Sequence, residues 1–138
     1  MVVAEASMRP AIEPGDWLLV DPTPARWPRR GSVVVFREPD TDILAVKRVG
    51  GGPGDRVPFA DGFLVLAADE AWLTSDASDA VAAAAGFGLP VDSRVFGPVP
   101  VALLTGRAWF RYAPLRRCGP LGRVGLSRRR DASRSHIG

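Results

Sequence analysis

Short runs of apolar, β-branched and aromatic residues alternate with turn residues along most of the chain. The runs at residues 17–20, 32–37, 43–49, 63–66 and 107–112 favour strands. Residues typical of turns lie between them, at Pro14-Gly15-Asp16, Pro22 to Pro28 and Gly50 to Asp55. Because the first sixty residues leave no room for a capped helix of ordinary length, the pattern predicts a mainly β, antiparallel domain.

Residues 76–89 interrupt this pattern. Four consecutive alanines, Ala82 to Ala85, follow a Ser- and Asp-rich stretch that resembles a helix start. Gly86 and Gly88 resemble a helix stop. The segment predicts either a short Ala-rich helix or a surface insertion, and the sequence leaves both open.

Composition excludes several classes of protein. The chain has 138 residues, of which 46% are hydrophobic and 24% charged, and this is typical of one globular domain. Cys118 is the single cysteine and His136 the single histidine, so we expect no metal site, no cofactor and no histidine-based triad. No apolar run reaches the length of a transmembrane segment. The glycines at 50–54 lack the lysine and serine of a phosphate-binding loop, and we interpret them as a turn.

Charge is distributed unevenly. Residues 1–100 carry 9 basic and 14 acidic side chains, whereas residues 101–138 carry 9 arginines against the single acid Asp131. This division predicts a folded domain over residues 1–115 and a basic, disordered tail over residues 116–138. Such a tail could make peripheral contact with an anionic membrane. We expect no specific nucleic-acid partner, since the neighbouring aromatic residues belong to a predicted strand.

Lys47 is the single lysine beside 17 arginines, and it lies in the apolar strand predicted at residues 43–49. Alternation places it on one face of that strand with Ala45 and Val49. A buried lysine, unlike an arginine, can lose its proton and act as a general base. The alternative is that a GC-rich coding sequence favours arginine and one lysine remains by chance. Ser7 is the best candidate for the nucleophile that such a base needs, although a serine here also suits a turn or a cap.

Four segments in the same order resemble the conserved boxes of the type I signal peptidase family. Ser7 to Val20 resembles the serine box and Gly31 to Arg37 the next, while Lys47 to Asp55 resembles the lysine box and Asp92 to Pro100 the last. The resemblance implies a signal-peptidase-like antiparallel β-sheet domain over residues 1–115.

The resemblance also implies the roles of single residues. Ser7 would be the nucleophile, with its backbone N–H as an oxyanion donor, and Lys47 would be the general base. Asp92 and Arg94 would brace the site without taking part in the chemistry. Small apolar pockets would be lined by Val3, Ile12 and Val46. Pockets of this kind accept the Ala-X-Ala pattern, so the substrate would be a preprotein or proprotein cut after small residues.

Three departures from the family pattern bear on activity. Glu5 stands two residues before the nucleophile, where many members have glycine or serine. Pro90 replaces a serine that normally hydrogen-bonds the lysine, and Ser75-Asp76-Ala77 stands where the family has Gly-Asp-Asn. Only six residues precede Ser7, so we expect no N-terminal membrane anchor in this chain.

The sequence leaves several functions to compare. The first is a serine endopeptidase of the signal peptidase type that works at a membrane. The second is a soluble maturation protease for one dedicated substrate, akin to the cytoplasmic protease that trims nickel-type superoxide dismutase. A third, from another class, is a catalytically decayed relative that only binds peptides. Self-cleaving repressor-like peptidases share the dyad, but six residues leave no space for their DNA-binding domain. The expected location is therefore either membrane-associated or cytoplasmic.

Overall fold

The fold is described from a computed structural model of the chain. It describes residues 1, 3, 7–9, 11–76 and 92–122. Nine strands lie in this part of the chain: β1 (Trp17–Asp21), β2 (Val33–Arg37), β3 (Leu44–Gly51), β4 (Arg56–Phe59), β5 (Gly62–Val65), β6 (Glu70–Thr74), β7 (Val99–Pro100), β8 (Leu104–Ala113) and β9 (Gly119–Pro120). A short helix, α1 (Ser93–Phe96), precedes β7, and 3-10 turns lie at Val101–Leu103 and Leu115–Arg117.

The strands that the structure describes form two antiparallel sheets. The larger sheet has seven strands in the order β1-β8-β2-β3-β6-β7, with β9 paired to β8. Strands β4 and β5 form a separate hairpin. The prediction of a mainly β, antiparallel domain is confirmed.

Two apolar clusters form most of the core. The first combines strand residues with residues from the N-terminal loop: Val3, Met8, Ile12, Leu18, Val33, Val35, Val46 and Ala108. The second comes mainly from strands: Trp27, Val34, Phe36, Ala45, Val49, Ala71, Leu73 and Val99. Alternation along β2 and β3 explains the division, because successive side chains point to opposite faces of a sheet.

A third, smaller cluster supports the β4–β5 hairpin. Val57, Leu66 and Trp72 pack beneath it. Its other side is open, with Phe63 and Val65 exposed and the Arg56 guanidinium 4.1 Å from the centre of the Phe63 ring.

The structure differs from the predicted elements at three strands and one helix. Strand β4 was missed because it contains Pro58, which is tolerated in a two-stranded hairpin but is unusual in a strand. Strand β6 has three consecutive buried residues, so it lacks the alternation that marks a strand with one exposed face. Strand β7 and helix α1 are too short to leave a periodic pattern. The Ala-rich segment lies outside the described residues.

The glycine-rich stretch is only partly a turn. Gly50 and Gly51 extend β3, and the turn begins at Gly52, whose N–H donates to the Asp55 carboxylate. Thr74 explains the glycine at position 50, because a Cβ there would lie 2.6 Å from its side-chain methyl.

Contacts with the sheet continue past the boundary predicted at residue 115. Strand β9 pairs with β8, and the Leu121 N–H donates to the Trp109 carbonyl. Leu121 also packs against the first apolar cluster. The division into a peptidase domain and a basic tail stays a prediction, and residues 123–138 lie outside the described residues.

Candidate active site

Ser7 and Lys47 meet in the interior of the protein. The Lys47 Nζ lies 2.7 Å from the Ser7 Oγ, and the two residues are 40 positions apart in sequence. Lys47 is 0% exposed and Ser7 is 7% exposed. The amine also donates to the Val46 carbonyl at 3.3 Å. A lysine and a hydroxyl are thus held within hydrogen-bonding distance and away from bulk water.

Strand β3 places Lys47 at the centre of the larger sheet. It pairs with β2 on one side, where Lys47 lies opposite Val34, and with β6 on the other. Ala45 and Val49 belong to the second apolar cluster and Val46 belongs to the first, as the predicted alternation requires. The lysine backbone is therefore paired with β2, and the residues that follow it, from Arg48 onward, also pair with β6.

Ser7 lies in a turn and not in a strand, and backbone hydrogen bonds fix that turn. We call residues 7–9 and 11–16 the Ser7 segment. The Ile12 N–H donates to the Met8 carbonyl at 2.9 Å. Before the turn, Val3 pairs with the far end of the segment, because its N–H donates to the Asp16 carbonyl and its carbonyl accepts from the Gly15 N–H. One hydrogen bond therefore closes the turn after Ser7, and two others hold the far end of the segment against Val3.

The three residues predicted to line substrate pockets lie together. Val3, Ile12 and Val46 all belong to the first apolar cluster, which also holds Met8, the neighbour of Ser7. Each is at most 3% exposed, so all three side chains are packed inside the protein. Their role in substrate recognition stays a prediction.

Asp92 and Arg94 lie at the start of helix α1. The Asp92 carboxylate accepts from the Arg94 backbone N–H at 3.0 Å and from its Nε at 3.1 Å. It also accepts from the Ser75 N–H at 3.0 Å, which ties the helix to the end of β6. Since β6 pairs with β3, this contact supports the strand that carries Lys47. The bracing role itself stays a prediction.

Sequence reasoning missed a buried ion pair next to Lys47. The Arg48 guanidinium forms a two-point contact with Asp76, from Nε at 2.9 Å and from Nη2 at 2.7 Å. The two side chains are 7% and 19% exposed. Arg48 lies within the lysine box and Asp76 in the segment that stands where the family has Gly-Asp-Asn, but nothing in their spacing indicated that they would pair. Ser75, between β6 and Asp76, has a buried hydroxyl with no hydrogen-bond partner in the described part of the chain.

A second missed cluster surrounds Asp16, which is 2% exposed. Its carboxylate accepts from Arg111, which lies in the strand predicted at residues 107–112, and from Arg117, which lies in the predicted tail. Glu5 and Pro90, the departures from the family pattern, lie outside the described residues. Within the described ranges no three His, Cys, Asp or Glu side chains come together as they would around a metal ion.

A buried amine beside a hydroxyl on an antiparallel β-domain is the arrangement that serine/lysine peptidases use. An amine so placed can take the hydroxyl proton, and the oxygen can then attack a carbonyl carbon. Comparisons with known proteins also indicate a peptidase.

A family model described as signal peptidase, peptidase S26, matches residues 1–80. The chain is 34% identical over 128 residues to the mitochondrial ATP-independent inner membrane protease subunit 1b of Arabidopsis thaliana, covering 84% of this chain and 70% of that protein. It is 32% identical over 130 residues to the mitochondrial inner membrane protease subunit 1 of Xenopus tropicalis, covering 88% and 72%. The chain therefore belongs to the signal peptidase, peptidase S26, family.

Family membership indicates peptidase activity of the signal-processing type. Both relatives are named as inner membrane protease subunits. In the part of this chain that the structure describes, no helix is both long and apolar enough to cross a bilayer.

Proposed function

We propose that this chain is a serine endopeptidase that removes N-terminal segments from precursor proteins after small residues. Ser7 is the nucleophile and Lys47 the general base. The observation that carries the proposal is the 2.7 Å contact between the Ser7 hydroxyl and a lysine that is 0% exposed. A general base must lie within hydrogen-bonding reach of the proton it takes, and this contact meets that condition.

Acylation involves two proton transfers, one to the Lys47 amine and one from it. The neutral Lys47 amine takes the proton from Ser7 as the oxygen attacks the scissile carbonyl carbon. The Ser7 backbone N–H donates to the oxyanion that forms. When the C–N bond breaks, the Lys47 ammonium returns its proton to the leaving amine. The products of this half-reaction are an ester on Ser7 and a free new N-terminus.

In deacylation, a water molecule takes the place that the Ser7 hydroxyl has in acylation. The Lys47 amine takes a proton from a water molecule, whose oxygen attacks the ester carbon. The bond to the Ser7 oxygen then breaks, and the proton on Lys47 passes to that oxygen. The serine and the neutral amine are regenerated, and the acid product leaves.

The apolar cluster next to Ser7 supports a preference for small side chains. Val3, Ile12 and Val46 pack in it with Met8, the neighbour of Ser7, and an apolar site discriminates between substrates by the size of the side chain. We therefore assign the Ala-X-Ala pattern to the substrate.

The test is cleavage of a purified preprotein with an Ala-X-Ala site, presented in lipid micelles. Ser7→Ala and Lys47→Met should each lower kcat/KM by at least about a thousandfold, since both groups act as one unit. Mass spectrometry of the products should place the cut directly after the second alanine.

Ser32→Ala is the matched control, because Ser32 is as buried as Ser7 but lies before β2. It should keep near wild-type activity. Cleavage that survives Ser7→Ala would refute the assignment. A wild-type protein that binds the peptide without cutting it would support a decayed, peptide-binding relative instead.

We also propose that the arginine-rich residues 123–138 contact anionic membranes, which would bring the enzyme to membrane-bound precursors. Co-sedimentation with phosphatidylserine vesicles should be lost when the chain is shortened to residue 122. It should also fall steeply between about 50 and 300 mM salt, because salt screens exposed charges. Binding that ignores salt, or that survives the truncation, would overturn this part of the proposal.

A further inference from the structure

The residues after β8 return to the site from the far end of the chain. We call residues 114–122 the C-terminal segment. It leaves β8 through the 3-10 turn Leu115–Arg117 and then pairs back on β8 through β9. On this path it contacts both parts of the protein that carry the reacting side chains.

Its first contact is with the Ser7 segment. The Arg117 Nη1 donates to the Asp16 carboxylate at 3.1 Å, and its Nη2 lies 3.5 Å from the Ala11 carbonyl. Arg111 reinforces this contact, since its Nη1 donates to the same two residues at 3.1 and 2.6 Å. The Arg111 Nε donates to the Arg117 carbonyl at 2.7 Å, which fixes the two arginines relative to one another.

The carboxylate at the centre of this cluster is almost inaccessible. Asp16 also accepts from the Glu13 N–H at 2.9 Å, so it receives three donors from three parts of the chain. Charge-assisted hydrogen bonds with little solvent around them are among the strongest polar contacts in proteins. The turn that follows Ser7 is therefore anchored to the C-terminal segment.

Its second contact is with β3. The Arg48 Nη1 donates to the Gly122 carbonyl at 2.9 Å and to the Gly31 carbonyl at 2.8 Å. Arg48 directly follows Lys47 in the strand. Leu121 adds an apolar contact with the first cluster, to which both Met8 and Val46 belong. One short segment thus connects the neighbour of Ser7 with the neighbours of Lys47.

We propose that the C-terminal segment is a positioning element that sets the distance between Ser7 and Lys47, with Arg117 as its main positioning residue. Lys47 is held by a central strand, whereas Ser7 lies in a loop, and loops move more than the sheets they join. A shift of about 1 Å in a reacting group can reduce a rate by two orders of magnitude. The effect on catalysis rests on the proposed function, but the effect on the Lys47 environment does not.

The experiment compares Arg117→Ala with Arg116→Ala. Arg116 is the adjacent arginine, its side chain is exposed, and its substitution changes the net charge by the same amount. Steady-state cleavage of an Ala-X-Ala peptide should show kcat lowered about tenfold or more in Arg117→Ala, with KM within about twofold. Arg116→Ala should match the wild type. Arg117→Lys keeps a positive charge near Asp16 and should recover part of kcat.

A second readout is independent of cleavage. Because Lys47 is the single lysine, ¹³C-lysine labelling gives one ε-carbon resonance that reports on the site. We expect Arg117→Ala to move or broaden that resonance and Arg116→Ala to leave it in place. Circular dichroism verifies that each variant is folded, and if Arg117→Ala does not fold, Arg117→Lys takes its place in both measurements.

Two results would overturn the proposal. One is a folded Arg117 variant with wild-type kcat and an unchanged Lys47 resonance. The other is an equal effect of Arg116→Ala. If the wild type cuts no Ala-X-Ala peptide, the proposed function fails, and the resonance alone then decides whether the C-terminal segment positions the lysine.

Discussion

The two large apolar clusters of this protein are built in different ways. The second cluster is formed mainly by strand residues, and sheet pairing brings these residues together. The first cluster takes Val3, Met8 and Ile12 from the N-terminal loop, whose position depends on backbone and arginine hydrogen bonds. The Ser7–Lys47 contact joins these two environments. Stability should therefore depend most on the second cluster, and catalytic geometry most on the polar contacts around the first.

The largest effect on stability is expected from a substitution in the second cluster. It tests whether stability and catalysis depend on different regions. Phe36 is 0% exposed in the second cluster, with its ring centre 5.9 Å from that of Phe96. Phe36→Ala should lower the free energy of unfolding by about 3–5 kcal/mol, because it removes a large buried side chain and leaves a cavity. Well below the melting temperature, kcat should remain near wild type. Urea unfolding and peptide cleavage measure the two quantities.

Phe63→Ala is the control for this prediction, since Phe63 is 55% exposed on the β4–β5 hairpin. It should cost less than about 1 kcal/mol. If Phe36→Ala lowered kcat as much as stability, the proposed separation between the two regions would be wrong.

The next effect tests whether the ion pair beside Lys47 contributes net stability. A double-mutant cycle with Arg48→Met and Asp76→Leu should give a coupling free energy of about 1.5–3 kcal/mol, as for hydrogen bonds to charged groups with little exposure. Each single variant leaves one charge of the pair unmatched, so the double variant should lose less stability than the sum of the two single losses. A coupling near zero would mean that other contacts hold this end of β3.

A smaller effect compares two buried serines near the site. The Ser75 hydroxyl has no hydrogen-bond partner among the described residues, whereas the Ser93 hydroxyl accepts from the Leu73 N–H at 2.8 Å. Ser75→Ala should raise the free energy of unfolding by up to about 1 kcal/mol, because an unpaired buried hydroxyl is costly. Ser93→Ala should lower it by about 1–2 kcal/mol, since it leaves a buried N–H unpaired. Thermal unfolding under the same conditions shows whether each substitution raises or lowers the free energy of unfolding. A change in the same direction for both variants would contradict the prediction.

The smallest effect lies far from the site, at the end of β1. The Thr23 hydroxyl and N–H both donate to Asp21, and these hydrogen bonds hold the pKa of Asp21 below its ordinary value of 3.8. A carboxylate with a lowered pKa stabilises the fold above its unfolded pKa, and this contribution is lost as pH falls through the native pKa. Thr23→Val should raise the pKa of Asp21 toward 3.8 in an NMR titration. The small difference in melting temperature from the wild type should be present at pH 6 and absent at pH 2.

The sequence predicted the strands that have a clear pattern and the two side chains of the proposed dyad. Strands β1, β2, β3, β5 and β8 fall within three residues of their predicted ends, because each combines β-branched or aromatic residues with flanking turns. Lys47 stood out because a single lysine in an apolar strand is chemically unusual. Ser7 gained its significance only from the resemblance to a family.

The arginine contacts could not be predicted in the same way. Arg117 and Asp16 are 101 positions apart, and no local periodicity links them. In a chain with 17 arginines, composition makes each one resemble a solvated surface charge. Among the arginines that the structure describes, Arg48, Arg111 and Arg117 have little-exposed side chains, and burial is a property of the tertiary structure.

The burial of the single lysine has a consequence for chemical labelling. The chain has two primary amines. One is the α-amine of Met1, which lies near the surface, and the other is the Lys47 side chain, which is buried beside Ser7. Amine-reactive esters should therefore acylate the folded protein once, at its N-terminus, and a second time only when the interior opens. The rate of that second acylation would report how often the site becomes accessible to solvent, with no substrate needed.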